Sequence, residues 1–367
     1  MDQGRNDMVR KSIWEARLDK FKEAAFKKKL KAAFISNTKN CSYLSGFTGD
    51  DSFLLISEEK NIFITDSRYA EQAAAQAPDF QVREYKGAML DALFEELGKN
   101  KINVMGFEDS DTFISTYKNM KRKLGVRLEP LGDALLKQRS IKDATELGNI
   151  KKAVQVADSA FEHILGFIKP GISEMDVAAE LEYNMKKNGA EKCAFDTVVA
   201  SGERSSMPHG VASSRILKKG DAVTLDYGAV VSGYCSDITR TVFIGKPEEE
   251  ILKIYGIVLE AQRRAIEGAF CSMRGSEIDS IARDYIKEKG YNEYFGHGLG
   301  HGIGLDIHEE PRLSPKSETI IKNGMTVTVE PGVYIPGKYG VRIEDDIVIN
   351  GQEPIILTKA AKNPIIL

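Results

Sequence analysis

Cysteine is scarce in this chain of 367 residues, and the four present (Cys41, Cys193, Cys235 and Cys271) are scattered, with no CxxC pair. This spacing excludes both a disulfide framework and a zinc ribbon. Free thiols are typical of a reducing compartment, so the sequence predicts a cytoplasmic protein. Cys235 stands two residues before Asp237, and we interpret it as a packed thiol.

Long apolar runs are missing as well. No stretch of about twenty apolar residues occurs, which excludes a membrane-spanning helix. Residues 1–30 are charged and amphipathic, and they lack the apolar segment and the cleavage site of a signal peptide. We predict a basic helix at the edge of a domain; the alternative is a helix that lies on an anionic membrane surface.

The chain also has no excess of charge of one sign. Lys and Arg together number 51 and Asp and Glu 54, which gives a formal net charge of −3. Without a basic surplus, nucleic acid is not expected as a partner. The length predicts two domains, each long enough to bury a core.

The hydrophobic pattern predicts an α/β fold, with domains at 1–138 and 139–367. Asp143 or Thr145 is predicted to cap a long helix that runs to about Ile168, where Pro170-Gly171 would end it. The first domain is predicted to contain short buried strands at 32–36, 52–57, 61–65 and 102–107, and helices at 67–77 and 87–100.

Histidine is scarce too, with five residues in the whole chain. His163 lies in an apolar helical pattern and is interpreted as structural. The other four, His209, His297, His301 and His308, lie in or just upstream of three phrases that also carry acidic residues. Such clustering indicates a site rather than chance.

The three phrases are VTLDYGAVVSGYCSDITRT (223–241), GHGLGHGIGLDIHEEP (296–311) and VTVEPGVYIPGKYGVRIEDD (327–346). Together they offer four carboxylates and one imidazole, which are the donors that a pair of divalent ions requires. Without cations, four clustered acids would repel one another and raise their own pKa values. The sequence therefore predicts a two-metal site at Asp226, Asp237, His301, Glu330 and Glu344.

In the first phrase, Ser232-Gly233 is a typical two-residue hairpin turn between apolar runs. A turn centred there places Asp226 opposite Thr239, with Asp237 as the diagonal neighbour. Both carboxylates then project from one face of the sheet, close enough to share an ion.

The third phrase repeats the arrangement around residues 336–340. Glu330 and Glu344 stand before and after the turn, and their even separation puts both on one face if the loop is a simple connection. A β-bulge would change this register. The two acidic hairpins also indicate an internal duplication.

The glycine-rich stretch 296–304 suggests a phosphate cradle at first sight. It lacks, however, both the GxGxxG order and a GK[ST] ending, and His308-Glu309 is not followed by a histidine at the spacing of a zincin helix. We predict instead that these glycines let strands approach one another closely beside a crowded site.

With these motifs, the chain resembles the metallopeptidase family whose catalytic domain has the pita-bread fold, and within it the bacterial Xaa-Pro peptidases of the aminopeptidase P type. The resemblance covers nearly the whole chain, and FITDSRYAEQA (63–73) resembles the creatinase-like N-terminal domain of such peptidases. It implies an N-terminal creatinase-like α/β domain, a pita-bread catalytic domain with pseudo-twofold symmetry, and a homodimer.

The resemblance also implies roles for the five ligands. Asp226 would chelate one ion, Asp237 and Glu344 would bridge both, and His301 and Glu330 would complete the shell of the other. The implied ion is Mn(II), although Co(II), Zn(II) and Fe(II) also suit this ligand set.

Further residues follow from the same resemblance. His209, His297 and His308 would line the site and steer the scissile peptide, and Arg342 would support the metal cluster from outside the ligand set. A hydroxide bridging the two ions would be the nucleophile. Glu330 would take up its proton and pass it to the leaving amine, and His297 or His308 would donate a hydrogen bond to the oxyanion.

The implied substrates are peptides with proline in the second position. The overall resemblance favours an Xaa-Pro aminopeptidase that acts on longer peptides, with an Xaa-Pro dipeptidase (prolidase) as the alternative. Arg312 bears on this choice, because in prolidases an arginine in this loop can hold the free carboxylate of a dipeptide. A solvated surface arginine is the other interpretation of Arg312.

Three rival functions use the same fold. Metal-free hydrolysis of the creatinase type and non-catalytic protein binding both go with lost ligands, whereas all five are present here. Removal of methionine from nascent proteins is the third, and comparing Met-Ala-Ser with Xaa-Pro peptides would separate it.

Overall fold

The computed structural model describes residues 12–27 and 30–367. The chain divides into two compact units, Met1–Gln138 and Arg139–Leu367. Among the described residues, no helix combines the length and the apolar character that crossing a bilayer would require.

The first unit contains a six-stranded mixed sheet with the order β4-β3-β2-β1-β5-β6. The four strands predicted from apolar runs are confirmed as β1, β2, β3 and β5. The sequence analysis missed β4 and β6, because these edge strands carry charged residues and are only partly buried. The strands are β1 (Ala32–Ile35), β2 (Phe53–Ser57), β3 (Asn61–Thr65), β4 (Gln81–Glu84), β5 (Val104–Phe107) and β6 (Arg127–Pro130).

Helices cover this sheet, and both helices predicted inside the unit are confirmed as α3 and α4. The predicted N-terminal helix is present as α1, which buries Leu18, Phe21 and Ala25; residues 1–11 and 28–29 of that prediction lie outside the described residues. The helices are α1 (Ile13–Phe26), α2 (Thr38–Ser45), α3 (Ala70–Gln76), α4 (Met89–Lys99), α5 (Ile114–Lys123) and α6 (Ala134–Ser140), the last of which runs across the boundary between Gln138 and Arg139.

The second unit begins with a long helix, α7 (Ala144–Leu165). As predicted, Asp143 caps it: its carboxylate accepts the backbone N–H groups of Thr145 and Glu146 at 2.9 and 3.0 Å. The helix ends at Leu165, three residues before the predicted end, because Gly166 already forms the C-cap. Three more helices follow: α8 (Glu174–Lys187), α9 (Glu249–Glu267) and α10 (Gly275–Glu288).

The strands of this unit are short and mostly antiparallel. After α8 come β7 (Lys192–Cys193), β8 (Val198–Ser201), β9 (Ala222–Tyr227), β10 (Ala229–Val231), β11 (Tyr234–Cys235) and β12 (Ile238–Phe243). After α10 come β13 (Gly300–Gly302), β14 (Glu309–Leu313), β15 (Thr326–Val329), β16 (Gly332–Ile335), β17 (Tyr339–Arg342), β18 (Asp345–Val348) and β19 (Ile355–Ile356).

A pair of helices followed by antiparallel strands therefore occurs twice in the second unit. Each half has an apolar core of its own, with Phe161, Leu181 and Val223 in the first and Ile254, Ile278 and Val327 in the second. This repeat agrees with the duplication that the two acidic hairpins indicated.

Candidate metal centre and pocket

A pocket of about 570 Å³ lies in the second unit, a size suited to a small ligand. Its lining contains all ten side chains that the sequence analysis assigned to a site: His209, Asp226, Asp237, His297, His301, His308, Arg312, Glu330, Arg342 and Glu344. Residues separated by up to 135 positions thus meet in one cavity. The remaining wall is largely apolar and includes Phe195, Val198, Pro208, Val211 and Ile307.

The first acidic hairpin has the predicted register. Ser232 and Gly233 form the turn with φ values of 50° and 77°, and Val231 pairs with Tyr234 across it. Both positive φ values match a type I′ turn, which follows the twist of the strands. Further along, β9 and β12 place Asp226 opposite Thr239, as the turn predicted.

The second acidic hairpin consists of two ladders in one register. β15 pairs with β18, ending at Val329 and Asp345, and β16 pairs with β17, starting at Gly332 and Arg342. Glu330 and Glu344 stand opposite each other in the gap between the ladders. The even spacing noted in the sequence therefore holds, because both interrupted segments have the same length.

Strand β13 packs closely against β15 of this hairpin because Gly300 has no side chain. A Cβ atom on Gly300 would lie 2.0 Å from the carbonyl oxygen of Thr328, so only glycine lets the strands approach this closely. His301 follows directly, and its backbone N–H donates to Thr328 Oγ1 at 3.1 Å. The role predicted for the glycine-rich stretch is confirmed at this position.

Three of the predicted ligands converge most tightly. Asp237, His301 and Glu344 each offer a ligand atom within 4.8 Å of the other two, and all three are buried. Glu330 Oε1 lies 3.4 Å from His301 Nε2. Among the described residues, nothing donates a hydrogen bond to Asp237 Oδ1 or Glu344 Oε1. Buried carboxylate oxygens without a donor fit a bound cation.

The tautomer of His301 strengthens this fit. Burial lowers the pKa of His301 to about 3, so its ring is neutral near pH 7. Nδ1 lies 3.2 Å from the carbonyl oxygen of Gly302, which can only accept, so Nδ1 carries the proton. The lone pair of Nε2 then faces the carboxylates of Asp237 and Glu330, an arrangement that suits a metal ion between them.

Without cations, the negatively charged form of the clustered carboxylates is unfavourable. Burial first, and then repulsion from neighbouring carboxylates, raises the pKa values of Asp237 and Glu344 well above their ordinary values. Burial raises the pKa of Glu330 to about 7, although Arg342 opposes this shift. Burial likewise raises the pKa of Asp226, again against Arg342.

Arg342 joins the cluster to the pocket wall. Its Nη2 pairs with Asp226, and its Nη1 donates to the hydroxyl of Tyr334 at 2.8 Å and to the Pro208 carbonyl at 3.0 Å. Its Nε donates to Thr239 Oγ1 at 3.0 Å, and that hydroxyl donates to Glu344 Oε2 at 2.6 Å. Arg342 thus orients two acids of the cluster at once.

Both ring nitrogens of His297 have partners within the protein. Nδ1 lies 2.7 Å from the carbonyl oxygen of Gly298 and therefore donates to it. Burial lowers the pKa of His297 to about 4, so Nε2 is bare and accepts from the Tyr334 hydroxyl at 3.0 Å. His297 was expected to be able to donate to a developing oxyanion; with Nδ1 bonded to the chain and Nε2 an acceptor, it has no proton to offer there.

His209, His308 and Arg312 differ from His297 in this respect. All three side chains are exposed in the pocket, and no hydrogen bond from the described residues holds the two imidazoles or the guanidinium. The His308 ring packs edge-on against the His301 ring, with centroids 4.3 Å apart. Arg312 stands opposite His301 in the register of β13 and β14.

Sequence reasoning missed Tyr334 and the apolar wall. Tyr334 lies four residues after Glu330 in the third phrase, so its position in a motif was visible, but its contact with His297 depends on the fold. Thr239 was placed opposite Asp226, but its hydrogen bond to Glu344 was not foreseen. Phe195 and Val198 gave no signal, because apolar residues near strands are ordinary core residues.

Comparison with known families identifies both parts of the chain. Residues 148–351 match the model of metallopeptidase family M24, and residues 17–141 match that of the creatinase/prolidase N-terminal domain. Together these matches cover most of the chain and agree with the implied two-domain pita-bread architecture.

Similar proteins have been solved or curated at full length. An Xaa-Pro dipeptidase from Bacillus anthracis shares 45% identity, with 96% of this chain and 100% of that chain covered and a TM-score of 0.95. The Xaa-Pro dipeptidase of Pyrococcus furiosus is 41% identical over 94% of this chain and 98% of its own length. An X-Pro aminopeptidase from Thermotoga maritima shares 40% identity, 95% and 99% coverage, and a TM-score of 0.88.

Proposed function

This chain belongs to metallopeptidase family M24, and we propose that within this family it is an Xaa-Pro dipeptidase, which hydrolyses the bond between a first residue and a C-terminal proline. The observation that carries the proposal is Arg312, a cation in the pocket that has no hydrogen-bond or ion-pair partner among the described residues.

Arg312 lines the pocket, and among the described residues no carboxylate or carbonyl pairs with its guanidinium. The other arginine of the pocket, Arg342, is fully engaged by Asp226, Tyr334 and Pro208. A dipeptide presents a free carboxylate close to the scissile bond, and a guanidinium binds a carboxylate through two parallel hydrogen bonds. A longer peptide has no charge to offer at this point.

The named relatives support the same substrate. The proteins from Bacillus anthracis and Pyrococcus furiosus are named Xaa-Pro dipeptidases, whereas the one from Thermotoga maritima is named an aminopeptidase. These names favour the dipeptidase over the aminopeptidase that the sequence analysis preferred. The dipeptidase is therefore our first hypothesis, and the aminopeptidase becomes the alternative.

We further propose that Asp226, Asp237, His301, Glu330 and Glu344 hold two divalent ions. One imidazole among four carboxylates is an oxygen-rich set that suits Mn(II). When bound, the ions supply Lewis-acid polarisation of the scissile carbonyl and lower the pKa of water at the site.

The protein's own groups have distinct tasks in this proposal. Glu330 accepts a proton from the attacking water and returns it to the proline nitrogen as the bond breaks. His308, whose ring has no hydrogen-bond partner among the described residues, donates to the oxygen of the scissile carbonyl. His209 flanks the peptide on another side of the pocket.

The test compares Ala-Pro, Ala-Pro-Ala and Ala-Ala-Ala on protein stripped with a chelator and reconstituted with Mn(II). We expect hydrolysis of Ala-Pro alone. Arg312→Met should raise the KM for Ala-Pro roughly 10- to 100-fold, as expected for the loss of a charged hydrogen-bonded pair, and Arg312→Lys should restore part of the affinity.

Two results would contradict the proposal in different ways. Cleavage of Ala-Pro-Ala before proline, unaffected by Arg312→Met, would identify the protein as an aminopeptidase. It would also show that Arg312 does not bind the substrate. No turnover of any of the three peptides despite bound metal would contradict the Xaa-Pro assignment. Peptides with an N-terminal methionine would then be tested as substrates.

A further inference from the structure

The position of His308 needs an explanation, because its own ring does not fix it. The ring is exposed, and among the described residues it makes no hydrogen bond; its contact is the edge-on packing against His301. Its direction therefore depends on the backbone of the segment 304–309, which will be called the His308 loop.

The residue after His308, Glu309, is anchored through its side chain. Glu309 is 8% exposed, and its carboxylate is bound from three sides. Oε1 accepts the backbone N–H of Asp306 at 2.9 Å and the guanidinium of Arg139, and Oε2 lies 3.3 Å from Lys142 Nζ. The side chains of Arg139 and Lys142 are 3% and 0% exposed, so this is a buried cluster of charges.

The same carboxylate and arginine hold the rest of the loop. Arg139 Nη2 also donates to Asp306 Oδ2 at 2.6 Å. A Cβ atom on Gly304 would lie 2.7 Å from Glu309 Oε2, which means that the loop backbone closes directly over the carboxylate. Arg139 and Lys142 precede α7 and lie 167 to 170 residues before their partners in the loop, so the anchor is built from a distant part of the chain.

We propose that Glu309 is the positioning residue of His308: its buried carboxylate, held by Arg139 and Lys142, fixes the His308 loop so that the imidazole faces the pocket. This inference rests on the proposed function, in which His308 donates to the scissile carbonyl. Breaking one partner of a buried ion cluster leaves the others uncompensated, so the loop has a strong preference for this single arrangement.

A purely structural role for Glu309 is the competing explanation, and a double-mutant cycle separates the two. Glu309→Gln should lower kcat for Ala-Pro at least about tenfold in the Mn(II)-loaded protein, with metal content unchanged. In a His308→Ala background, the same change should cost less than about twofold, because its effect passes through His308. Fully additive losses would overturn the proposal.

The matched control is Glu310→Gln, which removes an exposed carboxylate one residue further on. It should leave kcat and KM unchanged. A second variant, Gly304→Ala, retains every charge but pushes the Glu309 carboxylate away, so it should reproduce the loss of kcat and the non-additivity with His308→Ala. Normal activity of Gly304→Ala with a folded, metal-loaded chain would also overturn the proposal.

A readout that does not need catalysis keeps this inference separate from the proposed function. In the Zn(II)-loaded full chain labelled at histidine, the ring signals of His308 can be identified by their loss in His308→Ala. Glu309→Gln should shift these signals and Glu310→Gln should not. If wild-type protein hydrolyses no Xaa-Pro dipeptide, the proposed function fails while this comparison still decides the positioning role, and unchanged His308 signals in Glu309→Gln would refute it.

Discussion

At the scale of single residues, the carboxylates of Asp237 and Glu344 carry the metal assignment. Each is buried and has one oxygen that receives no hydrogen bond from the described residues. Burial of a charged carboxylate without compensation costs several kcal/mol, and a bound cation would offset this cost at both residues.

Asp237→Asn should therefore separate metal binding from folding. We expect loss of bound metal and a fall in activity of about 1000-fold or more, since the removed charge belongs to the proposed ligand set. The metal-free variant should be at least as stable as metal-free wild type, because a repulsive buried charge has gone. Metal content by mass spectrometry and thermal unfolding measure both effects.

The control for this variant is Asp284→Asn, an exposed aspartate on α10. It should change neither metal content nor turnover. Near-normal activity of Asp237→Asn at matched metal would show that Asp237 is not a ligand.

Tyr334 is the second residue whose role can be isolated. Its hydroxyl accepts from Arg342 and donates to His297, so it fixes the orientation of both. Tyr334→Phe should lower kcat roughly tenfold with little change in KM, equivalent to a loss of about 1.5 kcal/mol of hydrogen bonding. Steady-state kinetics on Ala-Pro measure this.

Tyr339→Phe is the matched control, since the Tyr339 hydroxyl donates at 2.6 Å to Glu250 on the surface. Tyr339→Phe should change neither kcat nor KM for Ala-Pro. Equal effects of the two substitutions would mean that Tyr334 only contributes to packing.

At the scale of elements, the hairpins were predictable because their register follows from local chemistry. Two residues with positive φ, Ser232 and Gly233, fix the turn, and the alternation of side chains then determines that Asp226 meets Thr239. For Glu330 and Glu344, the same counting succeeded because the gap between the two ladders has equal length on both strands.

Other elements could not be predicted, since their positions depend on distant partners. The loop that carries His209 follows β8 without any periodic pattern. It is held by Glu174 of α8, whose buried carboxylate accepts from Ser201 Oγ at 2.7 Å and Ser213 Oγ at 2.6 Å and pairs with Arg204. Nothing in the sequence around Glu174 indicates this role.

The contacts of Glu174 lead to a prediction about the loop that carries His209. Glu174→Gln should lower the free energy of unfolding by about 1–3 kcal/mol, because buried donors lose a charged acceptor. It should also weaken binding of Ala-Pro, since His209 is no longer held at the pocket. Denaturant unfolding and KM report the two effects.

Glu182→Gln, an exposed position on the same helix, is the control and should be neutral in both assays. A stable Glu174→Gln variant with unchanged KM would show that the loop keeps its position without the carboxylate.

At the scale of the whole catalytic unit, the candidate ligands come from both halves of the internal repeat. Asp226 and Asp237 belong to the hairpin of the first half, and His301, Glu330 and Glu344 belong to the second. Cations bound between them would link the two halves, so metal binding would contribute directly to the stability of the folded unit.

This linkage should depend on pH with a defined sign. In the metal-free chain, the raised pKa values of Asp237 and Glu344, and that of Glu330 at about 7 against an ordinary value of 4.5, mean that the folded state holds protons which the unfolded state releases. The stability of the metal-free chain should consequently fall as pH rises from about 4.5 through 7. Divalent ions bind the deprotonated ligands and release those protons, so the stabilisation by metal should grow over the same window.

We therefore expect the increase in Tm on adding Mn(II) to be small near pH 5.5 and several degrees larger near pH 8. Subtracting the two Tm values at each pH removes groups outside the cluster, because they titrate equally with and without metal. Asp237→Asn should flatten this difference, whereas Asp284→Asn should preserve it. An equal gain at both pH values would mean that these carboxylates are not the groups that exchange their protons for metal.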